Sequence, residues 1–424
     1  MATTFLSKTL GTPTDNNKWT FSCWFKRTGF ESQTLIYSND GSTSNVTEVA
    51  ISDAAKMVFQ NKVGGSTTMN LTTNRLFRDV SAFYHVVAVF DSSNSTEADR
   101  QIIYINGVRE TSFATNNPAS LNEVSTINSG NVAKIGKGNT SEYFNGLMTH
   151  VHFIDGTAYP ASTFGEVDST SGIWTAKTTP SVTYGTNGFF LKMENASAMG
   201  TDSSGNSNTF TVSGSLTKNQ DTPANNFCTM NPLDNYFAAG TFSNGNNTVI
   251  TSNGNYARNS STIGMATGKW YSEYKVGSIT GSGGIYIGIT GDLATATSGN
   301  TGNSPFSYAY DSDGTKHFNG SSSSFGDSYT TGDIIGVALD ATNSKIWWSK
   351  NGVWQGSGDP SNGSNPAYTV VVPSSTTIGA YFWSFSDNNS GEYFTCDCNF
   401  GNGYFGTTPV SSAGTNASGN GIFE

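Results

Sequence analysis

The chain has 424 residues and a formal net charge of −10, with 12% charged and 12% aromatic residues. Its 21 basic residues are spread singly, without the basic footprint a nucleic-acid binder needs to displace counterions. No apolar run approaches the roughly 20 residues of a membrane span, so neither nucleic acid nor membrane insertion is expected. The 27 Phe, 18 Tyr and 8 Trp argue against disorder. Together with 48 Gly and abundant Ser, Thr and Asn, they predict an all-β chain, aromatic in its strands and small and polar in its turns. The length allows two or three domains, each with a core of its own.

In chain order, residues 1–17 show no basic segment followed by an apolar core. No signal peptide is expected there, and synthesis in a cytoplasm is. Short strands are predicted over 19–25, 33–38, 48–52 and 56–60. Cys23 falls inside the first and is expected as a buried free thiol. A strand over 82–91 ends at Asp91, and a second over 100–109 is closed by Asn106-Gly107. Both turn residues tolerate positive φ, as a primed hairpin turn requires. After 133–137 comes 143–156, where alternation puts Leu147, Thr149, Val151 and Phe153 on one face and Met148, His150 and His152 on the other. The two histidines are read as solvated or sheet-packed in preference to a metal site or a pH switch.

The segments FSCWFKR, YHVVAVFD, IIYINGVRE, AKIGKG and YFNGLMTHVHFIDGTAYPASTFGE make residues 1–195 resemble a laminin-G-like domain of the concanavalin A-like lectin/glucanase superfamily. The resemblance implies a jelly roll of two sheets whose curved faces often hold glycans or proteins. Laminarinase-type members of the superfamily carry Glu-x-Asp-x-x-Glu on one strand, projecting nucleophile and acid onto one face. The nearest match here is Glu166-Val167-Asp168-Ser169-Thr170-Ser171, where Ser171 replaces the third carboxylate and the context is turn-rich. Hydrolysis through this motif is not expected. Calcium-binding members use acidic loop residues, for which Asp91 or Asp155 would serve. Turn formation is the default for both, and no cofactor is expected beyond that open calcium option.

Residues 196–235 are polar and turn-rich, with one plausible strand over 209–212. They are expected to connect two domains while packing on one of them, since Phe210 and Phe227 favour burial. Further on, apolar runs at 334–339 and 345–349 flank an Asp340–Ser344 turn and are followed by Asn351-Gly352. This repeats the pattern of 82–109 at a distance of about 250 residues, far too long for a solenoid or propeller repeat. Two domains of related architecture account for it.

With GKWYSEY, GIYIGI, FSYAYDSDG, GDIIGVALD, WWSKNGVW and NFG, residues 236–424 resemble a SPRY domain. The resemblance implies an antiparallel sandwich, usually a protein-binding module that holds its partner in loops at one end. The corresponding exposed candidates are Tyr308, Tyr310, Asp311, Trp354 and Trp383, suited to a peptide pocket or to sugar stacking. Cys396 and Cys398 fall on one face of a strand, but no second cysteine pair or histidine cluster completes a zinc site. His85, His150, His152 and His317 form no helical ligand motif. No metal site is predicted.

The expected fold is therefore all-β, with two antiparallel β-sandwich (jelly-roll) domains in tandem, over 1–195 and 236–424. A laminin-G-like domain followed by TDSSGNSNTFTV, DTPANNFCTMNPLD and a SPRY domain resembles virion proteins of tailed bacteriophages, particularly marine ones. That resemblance implies a non-enzymatic virion surface protein, assembled in the host cytoplasm: a fibre, appendage or decoration subunit that binds host-surface glycan or protein. Many copies on one particle would strengthen weak sites. It also implies other virion proteins as partners and a homo-oligomer, with a trimer expected for the class although no coiled-coil heptads specify one. A second reading is a purely structural virion subunit linking its neighbours. A third, disfavoured by Ser171, is a glycan depolymerase.

Overall fold

The computed structural model describes residues 3–218, 220–234, 240–252, 257–281, 283–292, 299–387, 391, 393–416 and 419–424. Among these residues there are strands and four short 3-10 turns, and no α-helix. The chain divides into two compact units, one of Met1–Lys218 with Thr222–Asn226 and one of Asn219–Asp221 with Phe227–Glu424. The stretch after residue 195 thus supplies structure to the first unit. Thr211–Ser213 pairs antiparallel with Phe5–Thr9, and Phe210 is buried against Phe189, ring centroids 4.6 Å apart.

In the first unit, eight strands form one sheet and six form a second. The six-stranded sheet runs Phe189–Leu191, Gly146–Asp155, Lys18–Arg27, Tyr84–Asp91, Gln101–Ile105, Val108–Arg109. Its inner face (Trp19, Phe21, Cys23, Phe25, Val86, Ala88, Phe90) meets Ile36, Val49, Phe59 and Leu71 of the larger sheet in one continuous core. Inward and outward residues alternate because successive side chains of a strand point to opposite faces.

The alternation expected over 147–153 breaks at a β-bulge. Met148 pairs with Phe25, yet four residues later His152 pairs with Ser22, so the register slips between Thr149 and His152. His150 takes φ +49 to make the bulge. The extra residue reverses the phase. Met148, Val151 and Phe153 face the core, while Leu147 and Thr149, expected beside Val151, pair with Lys26 and Trp24 on the outer face.

The second unit repeats the plan. One sheet is centred on Tyr393–Asn399, Lys269–Thr280, Ile334–Asp340 and Lys345–Lys350. The other runs Asn259–Ser260, Phe382–Asp387, Ile285–Thr290, Ser307–Asp311, Thr315–Phe318, Ser321–Ser324. Tyr274, Ile335, Val337, Trp348 and Cys396 from the first close on Ile287, Tyr308, Tyr310 and Phe385 from the second. Cys396 and Cys398 share this core with their sulfurs 4.0 Å apart, and all four cysteines are buried and unbridged.

Both expected Asn-Gly turns are present, at Asn106 φ +48, Gly107 φ +82 and Asn351 φ +48, Gly352 φ +79. Each asparagine also does the same second job. Asn106 donates its backbone N–H to the His85 carbonyl (2.9 Å) and accepts from the His85 N–H at Oδ1 (2.8 Å). Asn351 makes the same pair of bonds with Ile334, 2.8 Å each. A two-bond clamp to the neighbouring strand explains why asparagine, and not a second glycine, precedes Gly in both units.

Candidate functional site

Of the five residues expected to be exposed, three lie inside the second sandwich. Tyr308 and Tyr310 project inward from Ser307–Asp311 and are 1% and 0% exposed. The Tyr308 ring stacks on Phe318 at 4.7 Å, and its oxygen accepts from the Val371 N–H at 3.0 Å. Tyr310 donates its hydroxyl to the Asp327 carbonyl. Trp383 is equally part of the core. Trp354 is half-buried, its edge against Tyr271. The tyrosine pair is interior because i and i+2 on a strand share a face, and here that face is the core.

Ala309 and Asp311 therefore point outward. Asp311 is buried all the same, at 4% exposure, and its surroundings hold the most chemically suggestive group in either unit. One ligand atom each from Asp311, Asp313 and His317 lies within 4.8 Å of the others. Asp311 Oδ2 is 3.3 Å from His317 Nε2. Asp313 Oδ1 accepts from the Thr315 N–H (2.8 Å) and Thr315 Oγ1 (2.6 Å). Since Thr315 Oγ1 spends its proton on Asp313, it accepts from His317 Nε2 at 2.9 Å.

The hairpin positions these groups. Ser307–Asp311 and Thr315–Phe318 pair antiparallel with Ala309 opposite His317, and Gly314 at φ +92 lets the turn close. Tyr286, opposite Asp311 on the next strand, packs edge-on to His317 at 4.9 Å. Burial and the nearby Asp311 charge both push the Tyr286 phenol up. Asp313 and His317 were missed from sequence because their signal, D-x-D-x-x-x-H, is a period-2 pattern across a turn and resembles no helical ligand motif.

The glycosidase-like motif does not assemble a carboxylate pair. Glu166 belongs to Gly165–Val167, which pairs only with Trp174–Ala176 in a two-stranded hairpin. Its side chain is 62% exposed and 3.9 Å from Lys177. Asp168 caps the turn, accepting from the N–H of Ser171 (2.7 Å), Ser171 Oγ (2.8 Å) and the N–H of Thr170 (3.1 Å). These bonds lower its pKa, the opposite of what a general acid needs.

Asp155, considered for calcium, is already occupied. Its oxygens accept from the N–H groups of Thr14, Asp15 and Asn187 and from Asn128 Nδ2. Asp91 is taken up by Ser93 Oγ at 2.7 Å and Lys18 at 3.7 Å.

Three histidines gather on the outer face of the first unit's six-stranded sheet. The His85 ring lies flat on Trp24 at 4.6 Å. It accepts from Trp174 Nε1 at Nδ1 (3.0 Å) and so donates from Nε2 to Ser22 Oγ (2.8 Å). Burial, reinforced by His150, pushes its pKa down to about 3. His152 stacks on Phe190 at 3.9 Å and is also held neutral, chiefly by burial. These are sheet-packed histidines.

One buried carboxyl stands out in the second unit. Glu273 accepts from the Tyr271 hydroxyl (3.1 Å), Asn399 Nδ2 (2.9 Å) and the Glu424 N–H (3.1 Å). Burial outweighs these bonds and raises its pKa to about 7.

Residues 5–162 match the concanavalin A-like lectin/glucanases superfamily (laminin G type), and residues 269–377 match the SPRY domain. No curated protein matches the chain. Among solved structures, the SPRY domain of human HERC1 is 16% identical, covering 40% of this chain and 96% of that one at a TM-score of 0.31. Stonustoxin is 17% identical, covering 41% of this chain and 27% of its own at 0.30. A heptameric SAP-like pentraxin from Limulus polyphemus is 14% identical, covering 41% and 85% at 0.30. A laminin-G-like domain and a SPRY domain in one chain suggest a carbohydrate- or protein-binding role.

Proposed function

We propose that the protein is a non-enzymatic binding protein of a tailed-phage virion surface, a fibre, appendage or decoration subunit that attaches to host-surface glycan or protein. The observation that carries the non-enzymatic part is the fate of the glycosidase-like motif. Glu166 sits exposed on a two-stranded hairpin beside Lys177, and Asp168 is held as an anion by its turn. Two facing carboxyls, one protonated, are the minimum for the usual glycoside hydrolysis. The virion assignment rests on the order of motifs along the chain. Assembly with other virion proteins as a homo-oligomer, a trimer by class, belongs to the same proposal.

Pull-down of the purified chain by intact bacterial cells and their extracted polysaccharide tests it. Saturable retention is expected. Trp354→Ala reports whether the half-buried indole takes part: weaker retention assigns the contact to the second unit, and unchanged retention moves it elsewhere. No retention of a multimerised protein would favour the purely structural alternative, a subunit that only links its virion neighbours.

A further inference from the structure

We propose that Asp311, Asp313 and His317 form a binding site for one divalent transition-metal ion of the zinc class. The assignment is independent of what the sandwiches bind. Two observations converge on it. The donor set comes first: two carboxylates and an imidazole, all within 4.8 Å of one another, span a distance that modest side-chain rotation closes around an ion with bonds of about 2.0–2.2 Å.

The second observation is electrostatic. Asp311 is 4% exposed, and among the described residues no Lys or Arg lies within ion-pair distance of it. His317 is its sole ion-pair neighbour there. Asp311 accepts from Ser312 Oγ at 3.2 Å and from the Tyr286 phenol, but these neutral donors supply no full positive charge, and a dication would.

The chemistry selects the ion. Calcium prefers six to eight oxygen ligands and magnesium a hydrated octahedral shell, and neither favours an imidazole as one of three donors. Zinc accepts histidine nitrogen and carboxylate oxygen together. With three protein ligands it keeps a position for water or an incoming oxygen. The hairpin supplies the preorganisation, since all three residues sit within one strand–turn–strand, paired at Tyr308–Phe318, Ala309–His317 and Tyr310–Lys316.

The test is calorimetric titration of the chelator-treated full chain with Zn²⁺. Co²⁺ serves as a visible-absorption probe of ligand geometry, and Ca²⁺ is the control. One equivalent of Zn²⁺ is expected, with affinity reduced about tenfold or more in both His317→Gln and Asp313→Asn, and no competition from Ca²⁺. Asp313→Asn keeps the oxygen that caps Thr315 and lies on the exposed turn, so it carries the test should His317→Gln fold poorly. Circular dichroism and melting in chelator establish the fold of each variant. No zinc uptake by the unaltered chain overturns the proposal. So does uptake that is identical in both variants, which would place the ion elsewhere, for instance at His85, His150 or His152.

Discussion

Tyr308 and Tyr310 illustrate how far residue type alone misleads in a sandwich. Aromatic side chains that would serve on a binding surface also bury large areas, and the strand Ser307–Asp311 turns both into the core. Tyr310→Ala is expected to cost the second unit about 3–5 kcal/mol. Tyr310→Phe, which removes only the bond to the Asp327 carbonyl, should cost about 1 kcal/mol. Denaturant unfolding followed by fluorescence measures both, and a surface role would predict negligible losses. Glu273 makes a prediction of another kind. Its folded pKa of about 7 exceeds the ordinary 4.5, so the folded state holds its proton where the unfolded chain has released it. Its contribution is fully present below pH 4.5 and is lost as the pH rises through 7. Glu273→Gln should therefore gain stability relative to the unaltered chain between pH 5 and pH 8, and a constant difference in melting temperature would contradict this reading.

The two Asn-Gly turns were legible at the level of the element, because Asn and Gly announce positive φ and the flanking runs announce strands. Their clamps to His85 and Ile334 were not, since no local pattern shows which backbone groups a side chain will meet. Asn106→Gly and Asn351→Gly keep the turn conformation and delete the side-chain bond. Each is expected to lower the stability of its unit by about 1 kcal/mol, read from chemical denaturation. The bulge at His150 was illegible for a related reason. A single inserted residue reverses every face after it, and the sequence 147–153 alternates well enough without it. A β-branched residue cannot easily take φ +49, so His150→Val should destabilise the first unit by about 1–3 kcal/mol. His150→Gly should cost much less. The Asp311–Asp313–His317 group shows the same limit. Asp311 was picked from sequence, but its neighbours belong to a cross-strand geometry that only pairing reveals.

Across the whole molecule, the all-β class and the two-sandwich plan followed from composition and from a strand–turn grammar repeated about 250 residues apart. The division was harder to see, because the polar stretch after residue 195 reads as a connector while Thr211–Ser213 completes a sheet of the first unit. The two units also carry titratable groups of opposite sign. In the first, His85 is neutral when folded, with a pKa near 3 against an ordinary 6.5, and His152 is shifted in the same direction. The unfolded chain binds those protons below pH 6.5, so the stability of the first unit falls as the pH drops from 6.5 towards 3. In the second, Glu273 favours the lower part of that range. Calorimetry of the full chain is expected to show the transition of the first unit moving down on acidification, and His85→Phe should reduce that movement.

The central proposal is that this pair of sandwiches binds and does not cleave. Binding of the full chain to extracted bacterial surface polysaccharide should be measured in the same vessel as the release of reducing ends. Saturable binding with no reducing ends above background is the expected result. Reducing ends that accumulate with time and protein concentration would contradict the account and return the search to carboxyl groups beyond Glu166 and Asp168.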